Sequence, residues 1–206
     1  MDFAEQLASL GEIYINEAFA NSHRNHASMT GITSFIDSYA GPNVMEELKM
    51  MEPIVASTKH PFVAIVGGAK ITSKLHAVEK LLEFADHVFI GGAIATAFFA
   101  AQGKDVGRSL CKPKEKEQAR ALMGHHAIRL PRQLVFKSAA GEYRSAGIAA
   151  IREDESIVDI GLDTVADIRK VAINAKMILW NGPVGIVEDP RSRVGSDAIA
   201  HLMAEV

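Results

Sequence analysis

The sequence has little of several features that would define a protein class directly. It contains one cysteine, Cys111, so a framework of disulfide bonds is excluded. No apolar run reaches the roughly 18 residues that a membrane-spanning helix needs. The 22 Lys and Arg against 25 Asp and Glu leave a net charge of −3, unlike a strongly basic nucleic-acid-binding protein. The first residues lack the basic and apolar segments of a signal peptide. We therefore expect a cytoplasmic protein without nucleic-acid or membrane partners.

The sequence does contain a regular alternation of short apolar runs and amphipathic stretches. Hydrophobic residues make up 48% and charged residues 23%, as in globular domains. The apolar runs predict strands at residues 13–15, 62–66, 88–90, 134–136, 157–160 and 177–180. The stretches between them predict helices at 70–84, 93–102, 115–127, 164–175 and 193–205. This alternation predicts an α/β fold built on a doubly wound parallel sheet.

One long amphipathic stretch, from Asn43 to Ser57, lies outside this alternation. It follows Gly41-Pro42, which favours a helix start, and ends before His60-Pro61, which disfavours helix. Pro53 lies inside it and cannot donate a backbone hydrogen bond, so we expect a kink there. The pattern fits a connector between two lobes and an ordinary packing helix equally well.

Glycines follow three of the predicted strands. They occur in Gly67-Gly68, in Gly91-Gly92 and in Asn181-Gly182-Pro183. In open α/β sheets, ligands bind beyond the carboxyl ends of the strands, and glycine there lets the backbone approach a phosphate. Tight turns also use glycine, but three such turns at one edge favour a nucleotide or phosphate site.

Two lysines open the helix after the first of these turns. Lys70 and Lys74 are four residues apart, on one helix face. Lysines in a first helical turn oppose the helix dipole, so an anion nearby would explain them. The segment matches neither the P-loop nor the G-x-G-x-x-G fingerprint. Two solvated surface lysines remain the alternative.

A second basic candidate lies near the start of the chain, in His23-Arg24-Asn25-His26. Arg24 could bind an anion through its planar guanidinium. The two histidines lack a further ligand nearby, so we predict no metal site. Cys111 is interpreted as a packing residue, and Trp180 as part of the core.

Several segments together resemble phosphoglycerate kinases. They occur in that family's order and spacing, and they span essentially the whole chain. The combination of GGAK and WNGPVG is the most specific part. The segments are NEAFANSHRNHAS (16–28), PFVAIVGGAKITSK (61–74), FIGGAIATAF (89–98), VDIGLDT (158–164) and ILWNGPVGIVE (178–188).

The resemblance implies a two-lobed, Rossmann-like glycolytic enzyme. Such an enzyme is a phosphotransferase with a carboxyl group as acceptor. It transfers a phosphoryl group between 1,3-bisphosphoglycerate and ADP, giving 3-phosphoglycerate and ATP, with Mg²⁺. Family members are usually monomers that close about a hinge, which excludes water from the reacting groups.

The resemblance also assigns site residues. It implies that Lys70 is catalytic and steadies the transferred phosphoryl group, and that Arg24 binds phosphoglycerate. Such positioning and positive charge suit phosphoryl transfer. Nucleotide binding is implied for Gly67, Gly68, Lys74, Gly91, Gly92, Asn181, Pro183 and Glu188, of which Glu188 would hold the ribose hydroxyls.

The resemblance divides the chain into three parts and implies a fold incomplete at both ends. Residues 1–42 would be a remnant of the N-terminal phosphoglycerate-binding lobe, 43–58 the interdomain hinge helix, and 59–206 the nucleotide-binding lobe without its last strands. An unpaired strand edge would then favour self-association of the chain.

The sequence departs from the family pattern in places. Ser73, Gln133 and Leu162 differ from the residues common in the family. The Asp-x-Asn substrate loop and the Gly-Gly-Asp turn of the family do not occur in this sequence. The alternative to a working kinase is therefore a catalytically incomplete, nucleotide-binding fragment of that family.

Overall fold

A computed structural model describes residues 2–56 and 59–206 of the chain. It divides the chain into two compact units, residues 1–58 and 59–206. Ser57 and Thr58, the last residues of the predicted connecting helix and hinge, lie outside the described residues. The two units are described separately below.

The first unit contains a small parallel sheet and two helices. Its regular elements are α1 (Phe3–Ala8), β1 (Ile13–Asn16), β2 (Asp37–Ala40) and α2 (Pro42–Val55), with short helical turns between the strands. Strand β1 pairs with β2 along its whole length. The sequence did not predict β2, because it begins with the polar Asp37 and Ser38 and is exposed throughout.

Helix α2 begins as the sequence predicts. Pro42 occupies its first turn after Gly41, and the Glu17 carboxylate accepts a hydrogen bond from the Asn43 backbone N–H at 3.1 Å. Such a contact satisfies one of the amides that every helix start leaves free. Pro53 lies inside the helix, and the kink and the hinge role stay predictions.

The second unit holds the remaining elements, and every strand and helix predicted after residue 58 is present. The helices are α3 (Ile71–Leu81), α4 (Gly92–Ala101), α5 (Pro113–Leu122), α6 (Leu162–Ala172) and α7 (Val194–Glu205). The strands are β3 (Phe62–Val66), β4 (His87–Ile90), β5 (Ile128–Arg129), β6 (Leu134–Ser138), β7 (Tyr143–Ala146), β8 (Glu155–Ile160) and β9 (Met177–Asn181).

The main sheet of this unit is parallel and is covered on both faces. Its strand order is β5-β4-β3-β9, and all five residues of β3 are buried. On one face Val63 and Ile65 share a core cluster with residues of α6 and α7, including Ile168 and Ile199. On the other face the Phe62 ring stacks on Phe84 beyond α3, at 5.7 Å between centroids. The doubly wound α/β fold is therefore confirmed.

The placement of two predicted strands in the parallel sheet was wrong. Strands β6 and β8, predicted at 134–136 and 157–160, pair antiparallel in a separate sheet of order β7-β6-β8. The chain reverses at Gly141, whose φ of +84° suits glycine, and β7 returns beside β6 as a hairpin. An apolar run shows that a strand is buried but not which strand it will pair with.

An ion pair between Arg144 on β7 and Glu155 on β8 joins the two edge strands of this second sheet. The Arg144 guanidinium donates to the Glu155 carboxylate through Nε and Nη2, both at 2.5 Å, and Glu155 is only 2% exposed. The guanidinium keeps the pKa of Glu155 below its usual range. The paired geometry compensates for the cost of burying the carboxylate.

Candidate functional site

The parallel sheet changes its winding direction beside β3. The chain passes from β3 to β4 on one side, whereas β9 joins the opposite side of β3 much later. Connections that leave in opposite directions open a crevice beyond the carboxyl ends of the strands. The loops that follow β3, β4 and β9 meet at this crevice, and each contains glycine.

The glycines bring these loops into direct backbone contact. The Gly67 N–H donates to the Asn181 carbonyl at 2.9 Å, and a side chain at Gly67 would overlap the Pro183 carbonyl. The Gly92 N–H donates to the Val184 carbonyl at 2.9 Å. Gly92 has a φ of +56°, and a Cβ there would lie 2.8 Å from the Gly68 nitrogen. Only glycine fits at these positions without moving the loops.

A cavity of about 700 Å³ opens above these loops, a volume suited to a small-molecule ligand. Backbone forms much of its base, which we call the cavity floor: Gly68, Ala69, Gly92, Ala93, Pro183 and Gly185. Its sides, which we call the cavity rim, come from two loops and the edge of β8. The rim residues are 108–112, 156–158 and 186–188.

Lys74 is fixed beside the cavity floor. Its ammonium donates a hydrogen bond to the Asn181 side-chain oxygen, which joins α3 to the end of β9. Lys70 lies at the start of the same helix and is exposed, with no ion pair among the residues that the structure describes. The two ammonium groups and the free amides at the start of α3 give this end of the crevice a positive potential.

Glu188 supplies a carboxylate at the cavity rim. It is exposed, and its carboxylate makes no hydrogen bond or ion pair within residues 2–56 and 59–206. It lies in the loop from Gly185 to Ser192. This loop is anchored from below, because the Ile186 N–H donates to the Val158 carbonyl at 3.0 Å. A carboxylate without a partner can accept hydrogen bonds from the hydroxyls of a ligand.

The structure brings most of the predicted site residues together within the second unit, and one belongs to the first unit. Four of them line the cavity: Gly68, Gly92, Pro183 and Glu188. Four others support it from behind, namely Gly67, Gly91, Lys74 and Asn181. Lys70 flanks it at the start of α3. Arg24 is exposed and belongs to the first unit. The roles of these residues stay predictions.

Sequence reasoning missed the loop that forms one side of the cavity rim, residues 108–112. This loop follows α4 and carries no glycine-after-strand pattern. The Ser109 hydroxyl holds it against β8 by accepting from the Ile157 N–H at 2.8 Å. The signal in the sequence that could have revealed it is an apolar residue, Leu110, in a largely polar stretch, and in the structure its side chain is 89% exposed. Cys111, interpreted above as a packing residue, is half-buried at the cavity wall, and burial raises the pKa of its thiol.

A buried carboxylate beneath the cavity was also missed. Asp159 is 1% exposed, and it accepts hydrogen bonds from the Gly195 and Ile160 N–H groups, both at 2.8 Å. Burial is the main cause that raises its pKa to about 6, and the negative charge of Asp197 adds to the effect. Asp159 therefore holds the start of α7 against the end of β8. Its position inside an apolar strand gave no separate signal.

The fold and the cavity define a class of protein: a Rossmann-like α/β protein with its ligand crevice at the switch point of a parallel sheet. A sequence model described as phosphoglycerate kinase matches residues 1–206. The chain therefore belongs to the phosphoglycerate kinase family, as its motifs predict.

Individual relatives agree with this assignment. The phosphoglycerate kinase of Chlorobaculum tepidum is 40% identical over 99% of this chain. A chloroplastic phosphoglycerate kinase of Volvox carteri is 36% identical over 100% of this chain. This chain covers 54% of the first relative and 46% of the second, so it spans about half of their length.

Solved structures give the same picture. The phosphoglycerate kinase of Coxiella burnetii superimposes on 98% of this chain with a TM-score of 0.85 and 32% sequence identity. That of Pyrococcus horikoshii gives a TM-score of 0.87 at 26% identity, also over 98% of this chain. This chain covers 54% and 55% of those two chains.

Two features are absent from the described residues. No helix among them is long and apolar enough to cross a membrane. In residues 2–56 and 59–206, no group of three or more His, Cys, Asp and Glu side chains is placed to hold a metal ion.

Proposed function

We propose that the second unit binds a nucleoside diphosphate or triphosphate in the cavity above β3, β4 and β9. The observation that carries the proposal is the cavity itself: an apolar space of about 700 Å³ with glycines in its floor, Lys74 beside that floor and a free carboxylate at the rim. A purine ring suits the apolar walls, which include Leu110, Ile157 and Val187. The phosphates would lie toward Lys74 and the start of α3.

Glu188 would hold the ribose hydroxyls in this arrangement. Its carboxylate is free of protein partners among the described residues, so binding a ligand breaks no existing contact. Gly68, Gly92 and Pro183 would allow the nucleotide to lie close to the backbone, and Gly67 and Gly91 would contribute by letting the loops beneath it pack together. Asn181 would hold Lys74 in position through the hydrogen bond described above.

The reaction we propose is that of the family: phosphoryl transfer between 1,3-bisphosphoglycerate and ADP, giving 3-phosphoglycerate and ATP in glycolysis. Lys70 would act as the catalytic residue, because its exposed ammonium at the start of α3 can stabilise charge on the transferred group. Arg24 of the first unit would bind phosphoglycerate. Residues 1–42 would then act as the phosphoglycerate-binding part, 43–58 as the hinge and 59–206 as the nucleotide-binding part.

Magnesium would enter such a reaction on the nucleotide phosphates. The side chains that the structure describes include no group placed to hold a metal ion. The acidic residues of the cavity lining are Glu115 and Glu188. Glu115 accepts from the Lys112 N–H at 2.8 Å and so caps its own helix. We therefore assign no step to the metal. A cytoplasmic location and a monomeric state also remain predictions from the family.

A second candidate function is nucleotide binding without turnover. It applies to the 206-residue polypeptide, which spans about half the length of its relatives and contains neither the family's substrate loop nor its Gly-Gly-Asp turn. Both candidates share the nucleotide cavity, so binding is the property to test first.

Calorimetric titration of the 206-residue chain with ADP and Mg²⁺ tests binding. We expect saturable binding that Lys74→Ala and Glu188→Ala each weaken by about tenfold, since each removes one charged contact. Lys80→Ala is the matched control: Lys80 lies on the same helix, but it is exposed and pairs with Glu83 at 2.8 Å. A folded chain that binds no ADP would refute the proposal.

An assay of ATP formation from 1,3-bisphosphoglycerate and ADP separates the two candidates. Turnover that Lys70→Ala abolishes, with ADP affinity unchanged, would establish the kinase. Binding without turnover in the wild-type chain would establish the fragment.

A further inference from the structure

The hairpin of β6 and β7 touches the loop that carries Glu188. The Tyr143 hydroxyl, on β7, donates a hydrogen bond to the Asp189 carboxylate, which lies 46 residues further along the chain. Lys137, on β6, places its ammonium 3.6 Å from the same carboxylate oxygen. Two residues of the antiparallel sheet therefore meet one residue of the cavity loop.

Arg191 completes this group. Its backbone N–H donates to Asp189 Oδ1 at 3.0 Å, and its guanidinium lies 4.3 Å from the centre of the Tyr143 ring. The Tyr143 hydroxyl and Arg191 hold the pKa of Asp189 well below its usual range, so this carboxylate is ionised at neutral pH. We call Lys137, Tyr143, Asp189 and Arg191 the Asp189 cluster.

The Asp189 cluster lies directly beside Glu188 in the chain. The rest of the loop is tied at its inner side, where the Ser192 hydroxyl donates to the Ile186 carbonyl at 3.0 Å and Ser192 is buried. Among the described residues, the side chains of Asp189 and Arg191 connect this loop to β7, through the Tyr143 hydroxyl and the Tyr143 ring. Glu188 itself has no such tie.

We propose that the Asp189 cluster holds the backbone of Glu188 in the position from which its carboxylate reaches the ribose hydroxyls of a bound nucleotide. This inference rests on the nucleotide site proposed above. Tyr143 and Asp189 are positioning residues in this account, because they act through Glu188 and do not line the cavity. The antiparallel sheet thereby acquires a role in nucleotide recognition.

The physical reason is conformational freedom. An exposed carboxylate on a mobile loop loses freedom when it binds a ligand, and that loss weakens binding. A hydrogen bond from a phenol to an ionised carboxylate is stronger than a neutral one and is directional. Fixing the residue next to Glu188 in this way lowers the cost of ordering the loop when a nucleotide binds.

The test compares two ligands on two chains. Wild type and Tyr143→Phe are titrated with ADP and with 2′,3′-dideoxy-ADP, which lacks the hydroxyls that Glu188 would bind. Tyr143→Phe removes the hydroxyl and keeps the ring beneath Arg191. We expect it to weaken ADP binding by about fivefold and to leave dideoxy-ADP binding unchanged. Equal weakening of both ligands would indicate general damage to the fold and would overturn the inference.

A double-mutant cycle gives a second readout. In a Glu188→Ala background, Tyr143→Phe should have no further effect on ADP binding, because the carboxylate that Tyr143 is proposed to position has been removed. Additive losses would overturn the inference. Glu205→Gln is the matched control: it removes an exposed ion pair of 2.6 Å with Arg169, away from the cavity lining, and should change neither affinity.

The outcomes separate this inference from the function on which it rests. If the folded wild type binds no ADP, the proposed function fails and the inference fails with it. If wild type binds ADP and Glu188→Ala weakens binding but Tyr143→Phe does not, only the inference fails. Asp189→Ala, which removes the carboxylate that accepts from Tyr143, replaces Tyr143→Phe if circular dichroism shows that variant unfolded, and the same selective loss is expected.

Discussion

Asp159 combines two properties that oppose each other. Its carboxylate accepts two backbone hydrogen bonds that fix α7 to β8, yet it is almost fully buried. Burial disfavours the ionised form and raises its pKa to about 6, against an ordinary value near 4. Between these two pH values the folded chain keeps a proton that the unfolded chain has released. The contribution of Asp159 to the free energy of unfolding therefore falls as the pH rises across this window.

The prediction concerns wild type against Asp159→Asn, which cannot ionise. The difference between their free energies of unfolding should change by about 2 kcal/mol between pH 4 and pH 7, with wild type losing stability relative to the variant as the pH rises. Urea denaturation at several pH values measures it. Glu153→Gln, which alters an exposed carboxylate without a hydrogen bond among the described residues, should keep the wild-type pH dependence. A pH-independent difference between wild type and Asp159→Asn would contradict the assigned pKa.

At the scale of elements, helix α6 has an unusual start. Its cap residue is Gly161, which has no side chain to bind the first amides. Gln133, just before β6, supplies an acceptor for one of them: its side-chain oxygen accepts from the Asp163 N–H at 3.1 Å. The buried Thr164 hydroxyl accepts from the Gln133 N–H at 2.9 Å and donates to its carbonyl at 2.7 Å. Gln133, a departure from the family pattern, thus has a clear structural role.

Replacing this hydroxyl should destabilise the second unit. Thr164→Val keeps the shape but leaves two backbone groups of Gln133 without this partner, which should lower the free energy of unfolding by about 1–2 kcal/mol. The matched control is Thr72→Val, because Thr72 is exposed on α3 and its side chain makes no hydrogen bond among the described residues. Thermal or urea unfolding of both variants checks this. Equal effects would mean that helix propensity, and not the cap, determines the change.

Helices and turns were predictable where their structure depends on residues that are close together in the sequence. The helical spacing of Ile71, Leu75, Val78 and Leu82 predicts one buried face, and all four are buried. The glycine turns were found because a backbone that must approach another backbone excludes side chains. The pairing of β6 with β7 and β8 was not predictable, since strand partners depend on contacts distant in the sequence.

The site was predictable only in part, for a related reason. Gly68, Gly92 and Pro183 follow predicted parallel strands, and parallel strands end at the same edge of a sheet, so these residues could be placed together from the sequence. The 108–112 loop reaches the same cavity from the end of a helix, and Tyr143 reaches Asp189 from another sheet. No pattern of neighbouring residues in the sequence predicts contacts between segments that are so distant in the chain. They become visible only when the folded chain is available.

At the scale of the whole molecule, the parallel sheet has an open edge. Among the described residues, β9 pairs only with β3, and all five of its residues are half-buried. Ile178 and Trp180 pack against the core cluster, which leaves Leu179 pointing to the opposite face. An apolar strand with unpaired backbone groups favours association with another strand.

We therefore expect the 206-residue chain to self-associate at micromolar concentration, and Leu179→Lys to reduce that association. A charge on an edge strand disfavours pairing with a second chain. Analytical ultracentrifugation over a range of concentrations measures it. Leu162→Lys is the control, since Leu162 is 58% exposed at the start of α6 and does not lie on β9. A monomer at all concentrations, or equal effects of the two variants, would contradict the role of the edge.

The backbone composition of the cavity floor limits how this site can change. At Gly67 and Gly92 the backbone of one loop packs directly against that of another. A larger residue at either position would therefore separate the loops before it changed ligand selectivity. Amide groups are common to every sequence, so the part of the cavity built from them stays constant under substitution. Variation, natural or engineered, can adjust selectivity at the side chains of the cavity rim, in residues 108–112, 156–158 and 186–188, without disturbing these backbone contacts. A mutant library aimed at a different base should therefore randomise the rim and keep the glycines.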